Sequence, residues 1–184
     1  MADPLFLSLW LREYSPIALP LYLRKALSVF PYSTLSPKSV LRIYAISIHE
    51  APIFEEFIDG IPDPQAVAQQ AQEFLHEDCA FQLETQWDLF QWNGEWELKP
   101  SRVVIEVYAP EFEGASGAHV RVDLGPDELF LAQPQSDQLR PVQSNIRSVL
   151  RLTQDLEEEL SAERRLMWSD EEENFAERLG ALLD

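Results

Sequence analysis

Three histidines, one cysteine and a serine between glycines are the residues of this chain with types suited to chemistry. A metal centre needs three or four ligands converging on one point, normally seeded by a local pair at helix or strand spacing. His76 lies close to Asp78 and Cys79, His49 precedes Glu50, and His119 shares a strand face with Asp123. A His and carboxylate site drawing on His49, His76, His119 and Asp123 therefore requires the fold to gather distant strand ends. No His-x-x-x-His, Cys-x-x-Cys or His-Glu-x-x-His spacing supports one, so the reading assigns no metal and no cofactor. His76 fits better as a helix C-terminal residue, where the dipole favours it.

Cys79 follows Glu77 and Asp78, whose charges oppose the thiolate a nucleophile needs. It reads as a small residue at a strand start. The stretch Gly114-Ala115-Ser116-Gly117 has neither the Gly-x-Ser-x-Gly spacing of a nucleophile elbow nor the glycine and lysine pattern of a phosphate loop. It reads as a loop between two strands. With 32 Asp and Glu residues, a glycosidase-type carboxylate pair is not marked by abundance alone. No catalytic residue is assigned.

Charge narrows the classes further. The 184 residues carry a formal net charge of −18, and between Arg42 and Lys99 there are twelve acids and no Lys or Arg. Such a surface repels phosphate backbones and anionic lipid, which argues against nucleic acid and membrane partners. It attracts a basic protein or peptide, with association that weakens as salt rises. A single cysteine rules out an intrachain disulfide framework. The apolar run from Leu5 to Leu11 is preceded by Asp3 and by no Lys or Arg, so it reads as a strand and not a leader. These points place the chain in the cytoplasm as an expectation.

The elements follow from periodicity and punctuation. Leu5 to Glu13 is apolar on both faces, which predicts a strand covered on both sides. A helix follows to about Phe30, starting near Ser15-Pro16 or near Leu19, with Leu19, Leu23, Ala26, Leu27 and Phe30 inward. A strand over Val40 to Ile48 then completes a β-α-β unit with a right-handed crossover. Ala51 to Pro64, with three prolines, a glycine and four acids, reads as a surface connection. Asp63-Pro64 caps the helix 65–76.

Asn93-Gly94 marks a hairpin with a two-residue type I′ turn, pairing Leu89 with Leu98 and Gln91 with Trp96. That register places Phe81, Leu83, Trp87, Leu89, Trp96 and Leu98 on the core face, with Phe90 and Trp92 opposite. Strands over 102–109 and 118–124 follow, the second with Val120, Val122 and Leu124 inward, and a short strand over 128–132 is predicted after Gly125-Pro126. The remainder reads as helical. Leu139, Val142, Ile146, Val149, Thr153, Leu156 and Leu160 form one stripe, and Ser169 with Glu172 forms a capping box.

The expectation is one α+β domain over residues 1–184. It comprises a mixed sheet of five or six strands over 1–132, opened by the crossover and continued as an antiparallel meander, with two helices over 138–184. Those helices pack on the sheet or at a dimer interface, leaving monomer and homodimer both open. Phe90, Trp92, Glu95, Glu97 and Tyr108 form the candidate partner-binding surface, since aromatic residues dominate interface hot spots. The functional expectation is a non-enzymatic protein-binding module that binds a basic partner. The alternative is a small-molecule-binding protein or enzyme with a His and carboxylate pocket.

Overall fold

Among the described residues the sheet has seven strands in the order β3-β2-β4-β5-β6-β1-β7, and every neighbouring pair is antiparallel. These are β1 (Pro4–Leu11), β2 (Lys38–Ala45), β3 (Phe54–Asp59), β4 (Cys79–Trp92), β5 (Trp96–Tyr108), β6 (Val120–Pro126) and β7 (Ala162–Trp168). The helices are α1 (Leu19–Val29), α2 (Pro64–Gln72), α3 (Arg140–Glu159) and α4 (Phe175–Ala181). The structure, a computed structural model, describes residues 2–114, 117–170 and 174–183.

The expected mixed sheet of five or six strands is thus replaced by a seven-stranded antiparallel one. Following the antiparallel steps across the sheet, β1 and β2 run in the same direction. They are not neighbours, because β4, β5 and β6 lie between them. The crossover rule applies to parallel strands of one sheet, but it does not say which strands become neighbours. Here β1 is flanked by β6 and β7, both far away in sequence, and α1 carries the chain across the sheet to β2.

One face of the sheet is the core. Leu5, Leu7, Leu9 and Leu11 of β1 and Leu41 and Ile43 of β2 join Phe81, Leu83, Trp87 and Leu89 of β4 there. Val103, Ile105 and Val107 of β5 and Val120, Val122 and Leu124 of β6 complete the face, and all of these are buried. They form a single apolar cluster with the inward stripes of the helices, including Leu23 and Leu27 of α1 and Val67 and Ala71 of α2. Val142, Ile146, Val149 and Leu156 of α3 and Phe175 and Leu179 of α4 belong to the same cluster. The expected stripe is therefore buried within the chain itself from Val142 to Leu160, whereas its first member, Leu139, stands at the helix cap and is 45% exposed. Burial of this kind supplies the main stabilising free energy, about 25 cal/mol per Å² of apolar surface.

Local signals explain the helix ends. Asp63 accepts a hydrogen bond from the Gln65 N–H at 3.1 Å, capping α2 as its sequence demands. α1 begins at Leu19, with Pro20 in the first turn, where its missing N–H costs nothing. The capping box at Glu172 lies outside the described residues.

Five further differences have identifiable causes. β1 is not covered by helices on both sides, since Phe6 and Trp10 face away from the core and are only half-buried. Residues 51–64 contain β3, whose six residues include none that is fully buried. Residues 162–168, expected to be helical, form β7 on the outer edge of β1. Residues 127–130 close into a short 3-10 turn and not a strand. The hairpin joins Trp92 to Trp96 through a three-residue loop, 93–95. Of the two central turn residues only Gly94 has a positive φ, 83°, so the type I′ turn is absent. That shift of one residue moves Trp96 and Leu98 to the face that carries Phe90 and Trp92.

Candidate functional site

With the described helices joined to one face, the other face of the sheet carries the polar and aromatic residues. A charged ladder crosses it. Arg42 pairs with Glu55 at 2.7 Å and with Glu84 at 2.7 Å. Arg102 reaches Glu84 at 3.2 Å and Asp123 at 3.8 Å. Partial burial alone would raise the Glu84 carboxyl, but the two guanidiniums outweigh it and hold it below the usual carboxylate range.

Beside the ladder, Glu106 is 4% exposed. It accepts hydrogen bonds from the Tyr108 hydroxyl at 2.8 Å, from Arg121 at 2.9 Å and from the Gln82 amide at 3.1 Å. Tyr108 is itself buried under Phe112, and burial next to the Glu106 carboxylate raises its phenol far above the ordinary value. Every member is committed to a protein partner, and the carboxylate is sealed from solvent. The arrangement holds strands together and offers no open acid or base to a substrate.

The face ends in an aromatic corner on β1 and β7. Phe6 stacks on Trp168 with ring centroids 4.7 Å apart, and Arg121 lies 5.2 Å from the Phe6 ring. Arg164 covers Trp10 at 4.3 Å, and the Trp168 indole N–H donates to Ser8 Oγ at 2.9 Å. These rings are covered by one another and by arginines, which satisfies them locally.

The histidines have separate roles. His76 is exposed and sits 3.4 Å from Asp78 in the turn before β4. His49 is exposed in the loop after β2. His119 stacks on Tyr14 with centroids 3.9 Å apart, and its Nδ1 accepts the Leu11 backbone N–H at 2.8 Å. Asp123 accepts from the Gly125 N–H at 2.9 Å. Among the described residues no group of three His, Cys, Asp or Glu is placed to hold a metal ion. Cys79 is fully buried, and burial, aided by the Asp78 charge, raises its thiol above the ordinary value.

The Leu11 hydrogen bond fixes His119 as the neutral Nε2–H tautomer. Burial lowers its pKa below the ordinary 6.5, with the Glu163 charge only partly opposing. A depressed histidine pKa means that the unfolded chain takes up the proton first as pH falls. The stabilisation is complete above about pH 6.5 and is lost as pH drops below that value. Melting curves at pH 7.5 and 5.5 should show a lower Tm at the acidic value. A His119→Phe variant, which keeps the stack but takes no proton, should melt lower at both and lose most of the difference.

The hairpin residues fall into two places. Phe90, Trp92 and Trp96 line a small cleft with Glu128, Leu129 and Gln133, and the Trp96 indole N–H donates to Ser136 Oγ at 2.9 Å. The two aromatics expected at the partner surface, Phe90 and Trp92, are thus half-buried against the segment that follows β6. Glu95 and Glu97 are exposed at the tip, where Lys99 pairs with Glu97 at 3.0 Å. Tyr108 stands at the opposite end of β5, twelve residues from Trp96, a distance of about 40 Å along the strand.

No family model, curated protein or solved structure matches the chain.

A surface that sequence reading passed over is the outer edge of β3. Phe57 is 75% exposed, and Ile53 and Ile61 on either side of the strand are 54% and 65% exposed. Glu55, Glu56 and Asp59 lie between them in sequence and Glu50 and Asp63 flank the stretch, all exposed. Residues 53–59 read Ile-Phe-Glu-Glu-Phe-Ile-Asp, without the strict alternation that marks a strand, and Pro52, Gly60 and Pro62 read as loop punctuation. Among the described residues no helix is long and apolar enough to cross a membrane.

Proposed function

We propose that this chain is a non-enzymatic protein-binding module whose acidic, aromatic-bearing surface captures a basic partner. The observation that carries the reading is the edge strand β3. Its Phe57 is 75% exposed, and the exposed Ile53 and Ile61 flank the strand, in a stretch holding acids and no Lys or Arg between Arg42 and Lys99. Exposed apolar groups rimmed by one sign of charge are the ordinary composition of a docking surface. Of the two cations on the neighbouring β2, Arg42 is engaged by Glu55 and Glu84, and Lys38 stands opposite Asp59. The hairpin surface of Phe90, Trp92, Glu95 and Glu97, with Tyr108, supports the reading less, because its aromatics are partly covered and its members are far apart.

Native mass spectrometry of the protein purified from its own host in low salt tests this directly. The parent should carry a basic protein at fixed stoichiometry. The triple variant Glu55→Gln/Glu56→Gln/Phe57→Ser should lose it, while Trp92→Ala keeps it. A parent that emerges bare, or a triple variant that retains the same partner, contradicts the reading.

A further inference from the structure

Resting on that reading, we infer that the partner docks as an added β-strand along the outer edge of β3, using a segment in which basic and apolar residues alternate. Among the described residues β3 has one neighbour in the sheet, β2, and ends the strand order. The Gly60 N–H bonds the Pro37 carbonyl at 2.7 Å, which fixes the phase of the antiparallel ladder. Counting along the register, Phe54, Glu56 and Ile58 turn their backbone groups toward β2. Glu55, Phe57 and Asp59 turn theirs outward. Three N–H and three C=O groups in a row are a template for another strand.

The side chains specify the occupant. On the face away from the core β3 reads acid, apolar, acid as Glu55, Phe57, Asp59. The strand already paired to it shows what matches. Arg42 lies opposite Glu55, Val40 opposite Phe57 and Lys38 opposite Asp59, with the Arg42 and Glu55 charges 2.7 Å apart. A strand on the free edge meets the same three side chains from the other side. It is complementary when it carries a basic residue opposite positions 55 and 59 and an apolar one opposite 57.

A second β3 is the wrong occupant. Antiparallel self-pairing centred on Phe57 sets Glu55 of one copy against Asp59 of the other on the same face, and like charges directly opposed are destabilising. The acids thus guard the edge against its own copy while leaving it selective for a basic strand.

The test uses the full chain and a fluorescent peptide copying Lys38–Ala45, the natural complement of β3. Anisotropy at low salt should show saturable binding tighter than about 1 mM. Binding should fall at least about tenfold in 0.5 M salt and vanish when the two basic positions of the peptide are changed to glutamate. Phe57→Pro removes an outward N–H that β2 does not use, so the sheet should survive it. This variant should bind at least about tenfold more weakly, whereas Phe57→Leu stays within about threefold.

Equal binding by Phe57→Pro and the parent overturns strand addition. If the Glu55→Gln/Glu56→Gln/Phe57→Ser protein then fails to bind, the basic-partner reading survives alone. No binding of the peptide by the parent overturns strand addition as well. If the host-purified protein also carries no basic partner, both readings fall. A concentration-dependent dimer by sedimentation, in the absence of peptide and abolished by Phe57→Pro, overturns the foreign strand in favour of a second copy.

Discussion

A Glu106→Gln variant is expected to be about 3 kcal/mol less stable than the parent in urea unfolding. The carboxylate is 4% exposed and receives three donors, one of them the Arg121 guanidinium at 2.9 Å. Glutamine keeps the shape but neutralises the charge, so Arg121 is left partly buried without its counterion. It also turns an NH2 group toward donors that need an acceptor. Breaking a buried pair from one side costs about 3–5 kcal/mol. The lower end applies because the Arg121 side chain is 23% exposed and can recover some hydration. Glu55→Gln is the comparison, since its pair with Arg42 is more accessible and such pairs are worth about 1 kcal/mol or less. A loss below about 1 kcal/mol for Glu106→Gln would mean that the network is not a structural clamp.

Asn145→Ala should cost about as much, roughly 3 kcal/mol, through a different mechanism. Asn145 sits on the buried side of α3 and is 1% exposed. Its amide donates to the Phe90 and Leu129 carbonyls, both at 2.8 Å, and accepts the Phe90 N–H at 2.8 Å. In that region β4 runs past the end of β2, so one of its edges has no strand partner and the asparagine side chain stands in for one. Alanine leaves one N–H and two carbonyls buried and unpaired, each costing about 1–3 kcal/mol before relaxation. The amide of Phe90 should also exchange with solvent faster, while amides in the β5–β6 pairing keep their protection. An unchanged Phe90 exchange rate would show that water replaces the side chain without loss.

The fold was legible where pattern and burial coincide. The stripe of α3 from Val142 onward, the alternation Val120, Val122, Leu124 and the Asp63-Pro64 helix start all appear as the sequence implies, because each is set by local spacing. The two edge strands were not legible. β3 buries no residue fully, and β7 buries only Met167, so neither shows the period-2 signal that a half-buried strand requires. Strand order was hidden for another reason. The neighbours of β1 begin at Val120 and Ala162, and no local rule reports pairings over such separations.

The candidate surface was legible only in outline. The basic-free stretch was plain, but the hairpin seemed its centre because Trp92 and Phe90 appeared unopposed in a two-residue turn. The three-residue loop puts Trp96 and Leu98 beside them, and the segment around Leu129 and Ser136 packs against the group. Phe57 has no such cover. Exposure of an apolar side chain is a tertiary property, and a phenylalanine between two acids and an isoleucine gives no hint of it.

The most direct test of β3 as the docking edge is amide hydrogen exchange, read residue by residue with and without the Lys38–Ala45 peptide at low salt. The account predicts slowing at Glu55, Phe57 and Asp59 by at least about tenfold, with the hairpin amides of Gln91 to Glu97 unchanged. Slowing at the hairpin with no change at β3 would contradict it and return the partner surface to Trp92.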